Sequence, residues 1–125
     1  MLTANQRRLL FLLAAAIWGG FIFYLSSVPN LASGLETWQD LILRKLAHVT
    51  VFAILTYLVA RSLNSTQRHY LLFVVLAIIF YAFTDEFHQM SVIGRSGQAT
   101  DILIDSLGVF LGVFLFIKQR KNLFD

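Results

Sequence analysis

Four long apolar stretches, each bounded by charged or small polar residues, set the rhythm of this chain. Between Arg8 and Glu36 lie 27 residues without a charge, more than the about 20 helical residues that cross a bilayer core. A helix over residues 9–28 is therefore expected, closed by Ser26-Ser27-Val28-Pro29, because proline and small polar residues mark a helix exit. Basic residues ahead of an apolar run also describe a secretory signal. Such apolar regions hold only about 7–15 residues, and here three further apolar runs follow.

The second run predicts a helix over 41–63, and its charges are badly placed for a simple span. Only 15 residues separate Lys45 from Arg61, about 22 Å of helix against a core of about 30 Å. The helix must therefore extend past Lys45, drawing Arg44, Lys45 and His48 to the interface or below it. The third run, expected over 70–90, repeats the arithmetic: 15 residues from Tyr70 to Thr84 precede Asp85-Glu86, so that pair is pulled inward. The fourth, expected over 101–117, carries Asp101 and Asp105 near its start. Residues 30–40, 64–69 and 91–100 read as connections, the last holding Gly94, Arg95, Ser96 and Gly97.

Composition narrows the class further. Of 125 residues, 58% are hydrophobic and 14% charged, against about a quarter charged in soluble domains, and the mean hydropathy is +0.71. One all-α membrane domain, a four-helix bundle spanning residues 1–125, is expected. There is no cysteine and one proline, which excludes disulfides and thiolate metal sites. The net charge of +3 matters through its placement. With both termini cytoplasmic, Arg7, Arg8, Arg61, Arg68, Lys118, Arg120 and Lys121 fall inside and Arg44, Lys45 and Arg95 outside, which satisfies the positive-inside rule. Every acid except Asp125 then falls outside.

Helical phase shows which side chains can meet. Lys45, His48, Phe52 and Leu55 share one face, as do Tyr81, Asp85, His88 and Gln89, with Glu86 rotated about 100° away. Asp101, Asp105, Gly108 and Gly112 form a third stripe, and a Gly-x-x-x-Gly step lets another helix approach closely in lipid. The face carrying both aspartates is therefore expected to pack inward. An ionised group at the bilayer centre costs at least about 2.5 kcal/mol, so such residues face protein or water and find partners. The result is one shared polar, acidic pocket facing outward, with Lys45, His48, Asp85, Glu86, His88, Gln89, Arg95, Asp101 and Asp105 as ligand-binding candidates. Each has a plainer reading. Lys45 and Arg95 could pair with Asp105 and Asp101 to lock helices together, shallow charges could snorkel to head groups, and His69 reads as a surface residue.

Tyr81-Ala82-Phe83-Thr84-Asp85-Glu86-Phe87-His88-Gln89, then Gly94-Arg95-Ser96, then Asp101 and Asp105 in phase with Gly108 and Gly112, resembles the signature of the VanZ-like family of small bacterial membrane proteins. Ser26-Ser27-x-Pro29 and Lys45-x-x-His48 resemble its other two blocks, so the resemblance covers nearly the whole chain. The chain departs from the family pattern at Arg44, where an aspartate is usual, at Phe52, where a tyrosine is usual, and at Asp105, where an asparagine is usual. The resemblance implies a multi-pass protein of the bacterial cytoplasmic membrane, linked to an accessory role in glycopeptide (teicoplanin-type) resistance.

Three mechanisms are compatible with these residues. In the first, a non-catalytic envelope factor binds a lipid-linked cell-wall precursor, a glycopeptide or another envelope protein, with Arg95 and Lys45 holding phosphate or carboxylate. In the second, a membrane-embedded hydrolase or transferase uses His48 or Glu86 as general base, with Asp85 and His88 as further catalytic candidates. The third is a proton-coupled carrier, for which the chain shows no inverted repeat. The spacing of Glu86 and His88 does not match a zinc-binding helix, so no metal site is expected; a cofactor and self-association are left open, and nothing points to nucleic acid.

Overall fold

A computed structural model describes residues 1–29, 37–63, 69–95 and 97–122. They form four helices: α1 (Ala4–Ser27), α2 (Thr37–Leu63), α3 (Tyr70–Ser91) and α4 (Ala99–Asn122). There is no strand among the described residues, and all four helices are long and apolar enough to cross a membrane. Large apolar side chains such as Ile17, Phe73, Phe80 and Leu103 lie exposed along them, as lipid-facing surfaces require. Of the expected connections at 30–40, 64–69 and 91–100, residues 30–36, with Glu36, residues 64–68, with Arg68, and Ser96 lie outside the described residues, as do residues 123–125.

The helices are longer than their apolar runs, for local reasons. α1 starts five residues before Leu9 because Thr3 caps it: its hydroxyl accepts from the Gln6 amide at 3.2 Å, and the Gln6 side chain accepts from the Thr3 amide at 2.8 Å. This reciprocal capping box satisfies two amides that would otherwise lack partners. α2 begins at Thr37 rather than 41, with Asp40 in its first turn and an Asp40–Arg44 ion pair at 2.8 Å; an acid there also favours the helix dipole. Its 27 residues make about 40 Å of helix, which resolves the short distance between Lys45 and Arg61.

α2 packs against all three other helices, whereas α1 and α4 share no contact among the described residues. The tightest packing is between α2 and α4. A Cβ built at Gly108 would collide with the Val49 carbonyl oxygen, and one at Gly112 would lie 2.5 Å from that of Ala53. Phe52, Val109 and Phe116 fill the fully buried layer around this crossing. Helix α1 is joined by two directed hydrogen bonds, from the Trp18 indole to the Val51 carbonyl at 2.9 Å and from the Tyr81 hydroxyl to the Gly19 carbonyl at 2.6 Å. At the end of the bundle opposite the candidate residues, Tyr57 and Arg61 both bond Gln119, and Arg61 lies 4.8 Å over the Phe11 ring.

The glycine contacts yield a contrast that can be measured. Gly108→Ala should destabilise the bundle by about 1–3 kcal/mol, because backbone cannot move aside for the added methyl. Gly20 has nothing within 4 Å of its Cβ position, so Gly20→Ala should leave stability unchanged or raise it by about 0.5–1 kcal/mol. Thermal unfolding of both variants in detergent checks this. Equal melting temperatures would show that the crossing is not close.

Candidate functional site

Antiparallel packing brings the carboxyl ends of α1 and α3 together with the amino ends of α2 and α4, and the polar residues of all four collect there. They separate into three groups. The first lies between α1 and α3. Ser26 donates to Asp85 Oδ1 at 2.5 Å, and the Gln89 amide donates to Asp85 Oδ2 at 2.8 Å and to Ser26 at 3.2 Å. Asp85 and Gln89 meet because they are one turn apart, and both are buried.

Arg95, from the α3–α4 connection, closes this group from above. Its guanidinium donates to the carbonyl oxygens of Val28 at 3.0 Å, Leu25 at 2.6 Å and the Gln89 side chain at 3.3 Å. The last carbonyls of a helix have no partner within it, and a cation there also favours the helix dipole. Arg95 thus caps α1 and ties it to the end of α3. Burial draws its pKa below the ordinary arginine value, an effect that Asp85 opposes.

The second group joins α2 to α4. His48 Nδ1 lies 2.8 Å from Asp105 Oδ1, directly above the Gly108 crossing. Asp105 is completely buried, and its other oxygen has no hydrogen-bond partner among the described residues. Glu86 forms the third group, facing α4. It is 3% exposed, and neither oxygen completes a hydrogen bond among the described residues, although the Gln98 backbone N–H approaches. The Gly97 backbone packs on it so closely that a Cβ there would lie 2.9 Å from Oε1 and collide with Met90.

His88 stands apart. Its ring stacks on Phe23 at 4.3 Å, and Nε2 lies 2.9 Å from the Ser27 hydroxyl, on the flank of α1 rather than in the interior. Lys45 and Asp101 line an open cleft with Arg44, His48, Gln89 and Arg95, of about 80 Å³. Neither Lys45 nor Asp101 has a side-chain partner among the described residues. The charge of this lining differs from that of the cluster as a whole: three cations, Arg44, Lys45 and Arg95, face it against the single carboxylate of Asp101. Asp85, Glu86 and Asp105 lie behind that wall. Among the described residues no three His, Asp or Glu side chains are grouped closely enough to hold a metal ion.

Residues 10–123 match the family described as VanZ/LLP1. The chain belongs to this family. The match runs from the first half of α1 beyond the end of α4, so all three polar groups of this VanZ/LLP1 protein fall inside it. Among curated proteins and solved structures, none matches the chain. Two residues of the VanZ/LLP1 site were not singled out as candidates from the sequence. Ser26 had a signal, its place in the Ser26-Ser27-x-Pro29 block. Arg44 is placed on the outer side with Lys45 by the sequence but is not among the ligand-binding candidates, yet it lines the cleft beside Lys45.

The Arg95 geometry predicts that charge alone will not replace it. A lysine carries one nitrogen on a flexible stem and cannot span the carbonyls of Leu25 and Val28 together. Arg95→Lys should lower stability by about 1–3 kcal/mol, the range for charged hydrogen bonds, and should speed amide exchange at the carboxyl end of α1. Exchange measured by mass spectrometry tests this; unchanged protection there would show that Arg95 does not hold α1.

Proposed function

We propose that this multi-pass membrane protein acts in the bacterial cytoplasmic membrane as a non-catalytic envelope factor. Its cleft faces outward and binds the anionic group of a lipid-linked, cell-wall-related ligand. The observation that carries this reading is the cationic lining, in which Lys45 has no partner among the described residues while Arg44 and Arg95 flank it. Phosphate is the chemistry these groups recognise: an ammonium supplies a compact charge and guanidinium groups supply paired donors. A cleft of about 80 Å³ suits one such group with its water, which favours the head of a lipid-linked precursor over a whole glycopeptide. An accessory role in teicoplanin-type resistance would follow if holding such a precursor changes what the antibiotic meets at the membrane.

The outward orientation is supported by charge. Arg7, Arg8, Arg61, Lys118, Arg120 and Lys121 sit at the end of the bundle away from the cleft, and an excess of basic residues marks the cytoplasmic side. A reporter fused after Met90 should read as external, and a cytoplasmic signal there would reverse the topology.

A second reading is favoured by one contact. Asp105 on Nδ1 orients His48, and His48 also lines the cleft, the arrangement by which a carboxylate positions a histidine general base. Such a protein would be a hydrolase or transferase acting on an envelope lipid. One preparation separates the two. Purified protein should carry a phosphate-bearing lipid detectable by native mass spectrometry, with occupancy at least tenfold lower in Lys45→Gln, and should leave added envelope lipid unchanged. Equal occupancy in both proteins would remove the binding role of Lys45. Conversion of the lipid, lost in His48→Ala, would replace the binder with the enzyme.

A further inference from the structure

The polar cleft does not end at the head-group level. A second cleft, also about 80 Å³, opens between α1 and α2, and it shares Arg44, His48, Gln89 and Arg95 with the first. Its other walls are mostly apolar, Ile22 and Leu25 from α1 and Ala47, Val51 and Phe52 from α2; the polar exceptions are Ser26 and Asp85, which are hydrogen-bonded to each other. From Arg44 to Val51 the groove follows α2 for about 10 Å. It stops where the Trp18 indole bonds the Val51 carbonyl and bridges the two helices. A cationic chamber that continues into an apolar groove is complementary to an amphiphile with an anionic head.

The depth of the cleft fits such an occupant. Lys45 lies seven residues along α2 from the exposed Trp38, about 10 Å of rise, and tryptophan belongs at the membrane interface. The cleft therefore sits below the interfacial level. A soluble anion would have to leave water to reach it, whereas a lipid head group can arrive sideways from the bilayer with its chain already in apolar surroundings.

We infer that the groove between α1 and α2 holds the first carbons of a membrane lipid chain whose phosphate head occupies the Arg44–Lys45–Arg95 cleft. This rests on the reading that the cleft binds the anionic group of a lipid, and adds where the lipid chain lies and its lateral route of entry. Ala47 is the control point, because it is exposed at the groove and small. A phenylalanine there narrows the groove, and Ala47 is not among the residues that line the first cleft.

The test uses the full chain with Trp38→Phe in phosphatidylcholine nanodiscs, so that Trp18, at the end of the groove, is the only tryptophan. Dodecyl phosphate, inorganic phosphate and dodecyl maltoside are titrated, the last reporting simple partition into the bilayer. Dodecyl phosphate should change Trp18 fluorescence saturably and bind at least tenfold more tightly than inorganic phosphate. Ala47→Phe should remove that gain and leave inorganic phosphate binding unchanged. Equal affinities for the two phosphates, or a gain that survives Ala47→Phe, would overturn the groove while leaving the anion cleft standing. Binding of neither phosphate would overturn both. Should Ala47→Phe fail to fold, a dodecyl phosphate carrying a photoreactive chain decides the matter in unsubstituted protein. Crosslinks to Ile22, Leu25 or Val51 support the groove, and crosslinks confined to the outer lipid-facing residues sink it.

Discussion

At the crossing of α2 and α4, two glycines meet two backbone carbonyls, and the position of the site follows from that contact. Gly108 faces Val49 and Gly112 faces Ala53 with no room for a methyl group between them. In lipid, apolar surface alone does not draw helices together, so close packing of small residues has to. One turn above this contact lie His48 and Asp105, brought to 2.8 Å because their helices can approach no other way. A residue larger than glycine at 108 would separate the helices and the histidine from its carboxylate at once. Packing and chemistry are therefore set by the same few atoms.

The arrangement of charge around that crossing has its own logic. Carboxylates are buried most deeply, and each meets a different solution. Asp85 accepts hydrogen bonds from Ser26 and Gln89. Among the described residues, Asp105 has His48 on one oxygen and nothing on the other, and Glu86 completes no hydrogen bond. Desolvating an unpaired ionised carboxylate costs several kcal/mol, so Glu86 adds no stability to the bundle as an ion. The cations, by contrast, line the opening. Arg95 is held by carbonyls, Arg44 by Asp40, and Lys45 has no partner among the described residues. An anion at this opening would meet positive charge first, with the acids behind it.

Much of the fold could be read from the sequence because the bilayer imposes a length. Four apolar runs and the shortness of the 45–61 and 70–84 segments already require helices that carry charge below the interface. The same periodicity relates Asp85 to Gln89 and Asp101 to Asp105, and it separates Glu86 from Asp85. What periodicity could not supply is the rotation of each helix about its axis. His88 is close in phase to Asp85, yet a modest turn of α3 places it on the flank of α1 against Phe23. Arg95 was harder still. Its principal partners are the carbonyls of Leu25 and Val28, 70 and 67 residues upstream, and backbone acceptors leave no mark in a list of side chains. The end of α1, with its unsatisfied carbonyls, was the available signal.

That capping role changes what Arg95 means for the site. Arg95 holds the end of α1 and lines both clefts, and with three of its five N–H donors on carbonyl oxygens it has two more to offer. Helix α1 makes no contact with α4 among the described residues. It is tied to α2, α3 and the α3–α4 connection by hydrogen bonds through Trp18, Tyr81, Ser26, Ser27 and Arg95 and by the Phe23–His88 and Phe11–Arg61 ring contacts. Trp18 closes the α1–α2 groove at one end and Arg95 stands at the other. A group bound against Arg95 would therefore engage the same guanidinium that caps α1, which would link occupancy to the seating of α1 through one side chain.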